Sequence, residues 1–331
     1  MKNTPKNQQN LIPVSLTSCF NYNPQKLRQA LDLLLKHIEL PVTPHGAQVL
    51  LKPNLISTKS GPLSCTEGAL ILAIARWFLD QGARVSIGDS PAFGTATAVL
   101  RNLNLLDELA HLGITIRYFK QGISIDLPEV GPAILARAAL ESDLLVNIPR
   151  VKTHGQARLT LAVKNYFGCV VGLRKAWWHM EHGGEQSHKP GGFFDRLVRI
   201  QAAFPTSINI IDGIMAMHQS GPVDGSPYPL SLLAASTNAV AVDRALHTIL
   251  QVDPQTSPVM AACQRAGLQG AALSQLIFPL SLPEELQVND FQVPASLNSV
   301  RFNPFRFLKS SVRRLFMSKD KLLDKSGRKC I

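Results

Sequence analysis

The sequence predicts an α/β fold, a largely parallel sheet with helices on both faces, followed by a basic amphipathic C-terminal helix. Three observations predict it. Short apolar runs alternate with amphipathic helical segments along most of the chain, the pattern that builds parallel sheets. Polar and charged residues follow the apolar runs at their C-terminal ends, where open α/β sheets place their ligands. Charge is also segregated: of a formal net charge of +11 over 331 residues, +8 lies in residues 301–331, so the high isoelectric point describes a tail rather than the fold.

The elements follow in order. Asn23 to Leu40 opens with an N-cap Asn and a Pro at the first helical position, and Leu27, Ala30, Leu31, Leu34, Leu35 and Ile38 recur at helical spacing. Gln48 to Leu51 reads as a strand, and Thr66 to Gln81 as a helix with Thr66 at its N-cap and Gly82 as its stop. Arg84 to Gly88 reads as a buried strand, Thr95 to Leu112 as a helix broken near Asn104, and Thr115 to Phe119 as a strand. Leu135 to Ser142 reads as helix. Leu144 to Ile148, Ser207 to Ile211 and Leu230 to Ala235 read as strands, the last before a helix over Ala239 to Leu250. Residues 174–192, with Trp177, Trp178 and three His, fit neither period and read as a long loop. The chain thus divides into an N-terminal segment (1–22), an α/β domain (23–300) and a basic tail (301–331).

Composition excludes several classes. A 45% hydrophobic and 17% charged chain is globular, not disordered. Its apolar runs stop far short of the roughly 20 residues that span a bilayer, and no apolar segment follows a basic start at the N-terminus. The expected location is cytoplasmic. Five cysteines at 19, 65, 169, 263 and 330 contain no C-x-x-C pair for zinc or an iron–sulfur cluster. The G-x-S-x-G elbow, the P-loop and the G-x-G-x-x-G fingerprint are missing too, so hydrolase, ATPase and dehydrogenase readings lack their motifs.

The residues after the strands form the candidate site. Lys52 and Asn54 follow the first buried run, Asp89 the second, and Asp212 lies beyond Ile211. Asn147 lies within the Leu144 to Ile148 run, with Arg150, Lys152, Thr153 and His154 after it. Lys164 and Asn165 interrupt an otherwise apolar stretch, and Lys175 and His179 stand in the long loop. Lysines flush against buried runs suit either an anionic ligand or a structural ion pair. Asp89 and Asp212 read equally well as turn residues. We assign Lys52, Asn54, Asn147, Lys152, Thr153, Lys164, Asn165 and Lys175 to substrate binding, and His154, His179, Asp89 and Asp212 to proton transfer. His179, His182 and His188 with Glu181 and Glu185 contain metal-ligating types, but H-M-E-H-G-G-E is no established signature, and no metal site or cofactor is assigned. Cys65, ahead of a helix, is a weaker candidate nucleophile.

The same residues carry a family resemblance. KPNL at 52–55, GDSP at 88–91, NIPRVKTH at 147–154, LAVKNYFG at 161–168, Lys175 with His179, IIDGI at 210–214, GPVDG at 221–225 and AVAVD at 239–243 together resemble the family known as domain of unknown function 362, over roughly residues 47–250. The resemblance implies a prokaryotic α/β domain that is often joined to ferredoxin-like iron–sulfur modules. This sequence departs from that pattern in having no cysteine-rich segment, and in carrying Met217-His218-Gln219 where the family commonly has an acidic residue and glycine.

The expectation is therefore an enzyme that binds an anionic small molecule at the strand ends. The alternative is a metal- or cofactor-binding module, or a redox partner, that docks through its tail. In that tail Phe305, Leu308, Val312, Leu315 and Phe316 share one helical face with basic residues between them, so 305–317 is the candidate contact with a protein partner or with the inner face of a membrane. No specific nucleic-acid partner is expected, because the basic residues are confined to the tail. The oligomeric state is not legible.

Overall fold

A computed structural model describes residues 11–58, 61–92, 94–171 and 189–298 together with Lys175, Trp178 and Ser187. Its strands are β1 (Ile12–Pro13), β2 (Ser15–Ser18), β3 (Gln48–Pro53), β4 (Arg84–Asp89), β5 (Thr115–Tyr118), β6 (Gly122–Leu127), β7 (Gly131–Ala136), β8 (Leu144–Ile148), β9 (Arg150–His154), β10 (Arg158–Thr160), β11 (Ser207–His218), β12 (Ser226–Tyr228), β13 (Leu232–Ser236) and β14 (Leu276–Ile277). The helices are α1 (Pro24–Lys36), α2 (Gly68–Asp80), α3 (Ala96–Asn102), α4 (Leu106–His111), α5 (Arg137–Leu140), α6 (Ala162–Asn165), α7 (Phe193–Arg199), α8 (Ala239–Ile249) and α9 (Pro258–Arg265).

The main sheet runs β10-β9-β11-β8-β3-β4-β5, with β13 and β12 on β11 and β2 on β13. Its centre is parallel: β5 with β4, β4 with β3, β3 with β8, and β11 with both β8 and β9. The β10, β12, β13 and β2 pairings are antiparallel. Only Pro149 separates β8 from β9, and the two follow one another along the long strand β11: Asn209 pairs with Asn147, and Asp212 with Arg150.

Strand periodicity sorts the core into two layers. Leu50, Leu145, Ile211, Leu232 and Ala234 bury toward the face covered by α6, α7, α8 and α9. Val49, Leu51, Leu144, Val146, Ile208, Ile210, Leu233 and Ala235 bury toward α1, α2, α3 and α4. Helices therefore cover both faces, as the alternation in the sequence requires.

Most boundaries follow from local chemistry. The Asn23 side chain accepts from the N–H groups of Gln25 and Lys26, and α1 buries Leu27, Ala30, Leu31, Leu34 and Leu35 as expected. Asn104, at φ 57, separates α3 from α4 where the break was expected. Three expectations are corrected. Glu67, not Thr66, caps α2, because the Thr66 hydroxyl already donates to the Ile148 carbonyl at 2.6 Å and accepts from the Asn54 N–H at 2.7 Å. Leu135 and Ala136 are not helical but end a β6–β7 hairpin, in which Ile125 pairs with Ala133. Arg150 to His154, read as residues beyond a strand, is itself a strand held by β11 and β10. Residues 12–18 of the N-terminal segment supply β1 and β2. The tail helix and the boundary near residue 300 lie outside the described residues. Among those residues, no helix is long and apolar enough to cross a membrane.

Candidate functional site

Register brings four polar residues into one row across adjacent strands. Lys52 on β3 pairs with Asn147 on β8, Asn147 with Asn209 on β11, and Asn209 with Ser236 on β13. All four are fully buried. Asn147 shares its phase with Leu145 and Asn209 with Ile211, so both face the α6 layer. Helix α6 is aimed by Asp243 of α8, whose carboxyl accepts from the N–H groups of Ala162 at 2.7 Å and Val163 at 3.0 Å. Desolvation raises that carboxyl to about 8, against the two backbone bonds.

So aimed, α6 delivers Asn165 to the strand row. Asn54 Nδ2 donates to Asn165 Oδ1 (3.1 Å), Asn165 Nδ2 to Asn147 Oδ1 (2.7 Å), Asn147 Nδ2 to Asn209 Oδ1 (2.8 Å), and Asn209 Nδ2 to the Ser236 carbonyl (3.1 Å). Lys152 joins at the other end, donating to Asn54 Oδ1 and to the Ser64 carbonyl. Among the described residues no carboxylate pairs with Lys152, which is completely buried. Desolvation first, then the positive charges of Lys164 and Arg150, lower its ammonium to about 7.

Lys52 has a different environment. Its ammonium lies 3.0 Å from Asp89 Oδ1, with both side chains essentially without exposure. Asp89 also accepts from the N–H groups of Leu55 (2.9 Å) and Ser90 (2.8 Å). Gly168 closes over this pair: a Cβ there would overlap both Asp89 Oδ1 and Lys52 Nζ. The glycine is needed for close approach, and the pair behind it is internally neutralised.

Asp212 lies elsewhere. It shares its strand phase with Ile208, Ile210 and Ile214, which puts it on the opposite face from Asn209. There it accepts from Tyr22 OH at 2.7 Å and the Glu67 N–H at 2.9 Å. Arg150 ties the knot, donating to the carbonyls of Met215 (2.7 Å) and Cys65 (2.8 Å) and to Tyr22 OH (3.1 Å). Its guanidinium lies 3.8 Å from Asp212 and 3.6 Å from Glu67. Asp89 and Asp212 thus do not form one acid–base pair.

The remaining candidates spread around the cluster. Lys175 donates to the carbonyls of Ser90 (2.6 Å) and Gly168 (3.4 Å), beside Asp89, with its ammonium 5.9 Å from the Phe167 ring centroid. Thr153 Oγ1 accepts from the Gly221 N–H at 2.9 Å. Half-buried His154, at the end of β9, accepts through Nδ1 from the Gln156 N–H at 3.0 Å. Lys164 faces a separate cavity with Asp243 and His247. Cys65 is buried. His179 lies outside the described residues. The structure therefore brings together Lys52, Asn54, Asp89, Asn147, Lys152, Asn165 and Lys175; it puts Asp212 on the other face of the sheet and lines a separate cavity with Lys164, whose charge still reaches Lys152.

The model of the family described as Domain of unknown function (DUF362) matches residues 49–248. The chain belongs to this family. A thylakoid-associated protein of Synechocystis sp. (strain ATCC 27184 / PCC 6803 / Kazusa) is 39% identical over 274 residues, covering 82% of this chain and 84% of that protein. The lactate racemase apoprotein from Thermoanaerobacterium thermosaccharolyticum is 12% identical with a TM-score of 0.43, covering 71% of this chain. A protein from Thermotoga maritima is 10% identical with a TM-score of 0.44, covering 76% of this chain. The chain spans 57% and 60% of the length of these two solved structures.

Sequence reading gave no role to four residues that organise the cluster, three of them within the DUF362 domain and the fourth, Tyr22, ahead of it. Asn209 carries the amide chain across β11, Asp243 aims α6, and Arg150 with Tyr22 holds the segment that carries Cys65 and Glu67. Asn209 had a usable signal: like Asn147, it is an amide inside an apolar strand. Tyr22 had none, since its partners are distant in sequence.

Proposed function

We propose that this DUF362 protein binds an anionic small molecule at the C-terminal strand ends, where Lys152 supplies the compensating charge. One observation carries the reading: among the described residues Lys152 is a buried ammonium held by neutral acceptors alone, whereas the neighbouring Lys52 already has its carboxylate. Burying a lone charge is costly, and an incoming anion relieves that cost. Asn54 and Lys175 stand at the half-buried rim, suited to orient the ligand. With an ammonium near 7, Lys152 is also suited to exchange a proton with it at neutral pH. His154 and His179 remain the proposed proton-transfer partners.

The test is thermal stability of the full chain against acetate, malonate and inorganic phosphate at constant ionic strength, for wild type and Lys152→Met. One anion is expected to raise the wild-type Tm in a saturable way and to leave the variant unmoved, since a ligand at ~100 times its Kd adds roughly 2.7 kcal/mol. Equal responses of the two proteins to every anion refute the assignment.

A second reading is favoured by the relative's own description as thylakoid-associated: docking on a membrane surface through the basic segment 305–317. Sedimentation with anionic against neutral lipid vesicles, for the full chain and for a variant with Arg306, Lys309, Arg313 and Arg314 changed to Gln, tests it. Loss of binding is expected in the variant, and equal binding refutes the reading.

A further inference from the structure

Lys164 and Asn165 are consecutive on α6 but serve different places. Asn165 meets the strand row, while Lys164, with Asp243, His247 and Ser257, lines a small cavity walled by Val259 and Met260. The polar groups in this cavity are incompletely matched. His247 Nδ1 lies 2.7 Å from the Asp243 carbonyl one turn back on α8. A carbonyl only accepts, so Nδ1 carries the proton and Nε2 is left as an acceptor. That Nε2 is buried without a protein partner. Burial holds the ring well below the usual histidine range, at about 4, and so neutral. The Lys164 ammonium has neither a hydrogen bond nor an ion pair among the described residues, although Asp243 lines the same cavity. The Ser257 hydroxyl is directed at the Ala157 carbonyl at 3.5 Å, leaving its lone pairs open.

We infer that this cavity is an internal hydration site holding one water molecule between Lys164, His247 and Ser257. The chemistry selects the ligand. It must accept from an ammonium and donate to an imidazole nitrogen, which removes simple anions; the ammonium itself repels cations. The space admits about one water, and water has the right complement: one lone pair for Lys164 Nζ, one hydrogen for His247 Nε2 and one for Ser257 Oγ. Buried waters characteristically join polar groups that cannot reach one another, as here across α6, α8 and the start of α9. The site assigns Lys164 a use independent of anion binding at the strand ends.

The test is a crystal structure of the full chain at about 1.5 Å, combined with long-range ¹H–¹⁵N correlation spectra of its histidines. A fully occupied water within hydrogen-bond distance of Lys164 Nζ and His247 Nε2 is expected, with His247 in the Nδ1-protonated neutral form throughout pH 6 to 8. His247→Leu is expected to lose this water. A dry cavity, a ring protonated at Nε2, or an unchanged water in the variant overturns the inference. The wild-type data decide the matter even where the variant fails to fold.

Discussion

Replacing Lys52 by Met keeps the length and apolar character of the side chain but removes the ammonium that faces Asp89 at 3.0 Å. Both partners are essentially without solvent, so the carboxylate left behind has no water to compensate it and retains only its bonds from the Leu55 and Ser90 N–H groups. Removing one partner of a buried pair costs about 3–5 kcal/mol, far more than an exposed pair. At roughly 2 °C per kcal/mol for a domain of this size, Tm should fall by about 6–10 °C. The discriminating protein is the double variant Lys52→Met with Asp89→Asn. Asn keeps an oxygen for the Leu55 N–H and brings no charge, so the double variant should be more stable than Lys52→Met alone, a non-additivity that only direct coupling produces. Calorimetric scans at pH 7 provide the measurement. A Lys52→Met loss below about 1 kcal/mol, or strict additivity, refutes the buried-pair reasoning.

Gly168→Ala should cost about 1–3 kcal/mol, because its Cβ overlaps the same ion pair, whereas Gly61→Ala, with open space around it, should stay within about 0.5 kcal/mol; comparable Tm shifts in the two contradict this. Tyr22→Phe should lose about 1–3 kcal/mol, since its hydroxyl serves Asp212, Arg150 and the Met215 N–H, and an unchanged denaturation midpoint contradicts the knot. Lys152 has its folded value near 7 against 10.5 when exposed, so between these the unfolded chain binds more protons and stability rises with pH, by at most ~1.4 kcal/mol per unit, while below pH 7 that gain is absent. The stability of wild type relative to Lys152→Met should therefore grow from pH 7 to pH 10, and a flat difference rules the depressed lysine out.

Legibility in the sequence followed the chemistry of each segment. β3, β4, β5 and β8 were readable because buried parallel strands are short apolar runs, and α1 because its cap and its apolar spacing agree. The β6–β7 hairpin escaped because Ala133, Ile134, Leu135 and Ala136 run into the helical Arg137–Leu140 without a breaker between them. β9 escaped because Arg150, Lys152 and Thr153 look like loop residues until their buried partners are known. In the candidate site, position after a strand collected Lys52, Asn54, Asp89, Asn147 and Lys152, which the fold does place side by side. It misplaced Asp212, because a one-residue change of phase along β11 turns a side chain to the other face. Asn165 was found as an amide in an apolar run, but its purpose depended on Asp243, which lies 78 positions later in the chain.

The four asparagines all point the same way. Each presents its oxygen toward Lys152 and its nitrogen toward Ser236, so the amide dipoles add head to tail across four segments of the fold. Such chains polarise one another, and the negative end of this one rests on the Lys152 ammonium much as the C-terminal end of a helix rests on a cation. No single amide can be turned over without setting donor against donor or oxygen against oxygen at both of its joints. The protein thus has an interior wire with a fixed polarity, running link by link from the Lys152 ammonium to the carbonyl of Ser236 on β13.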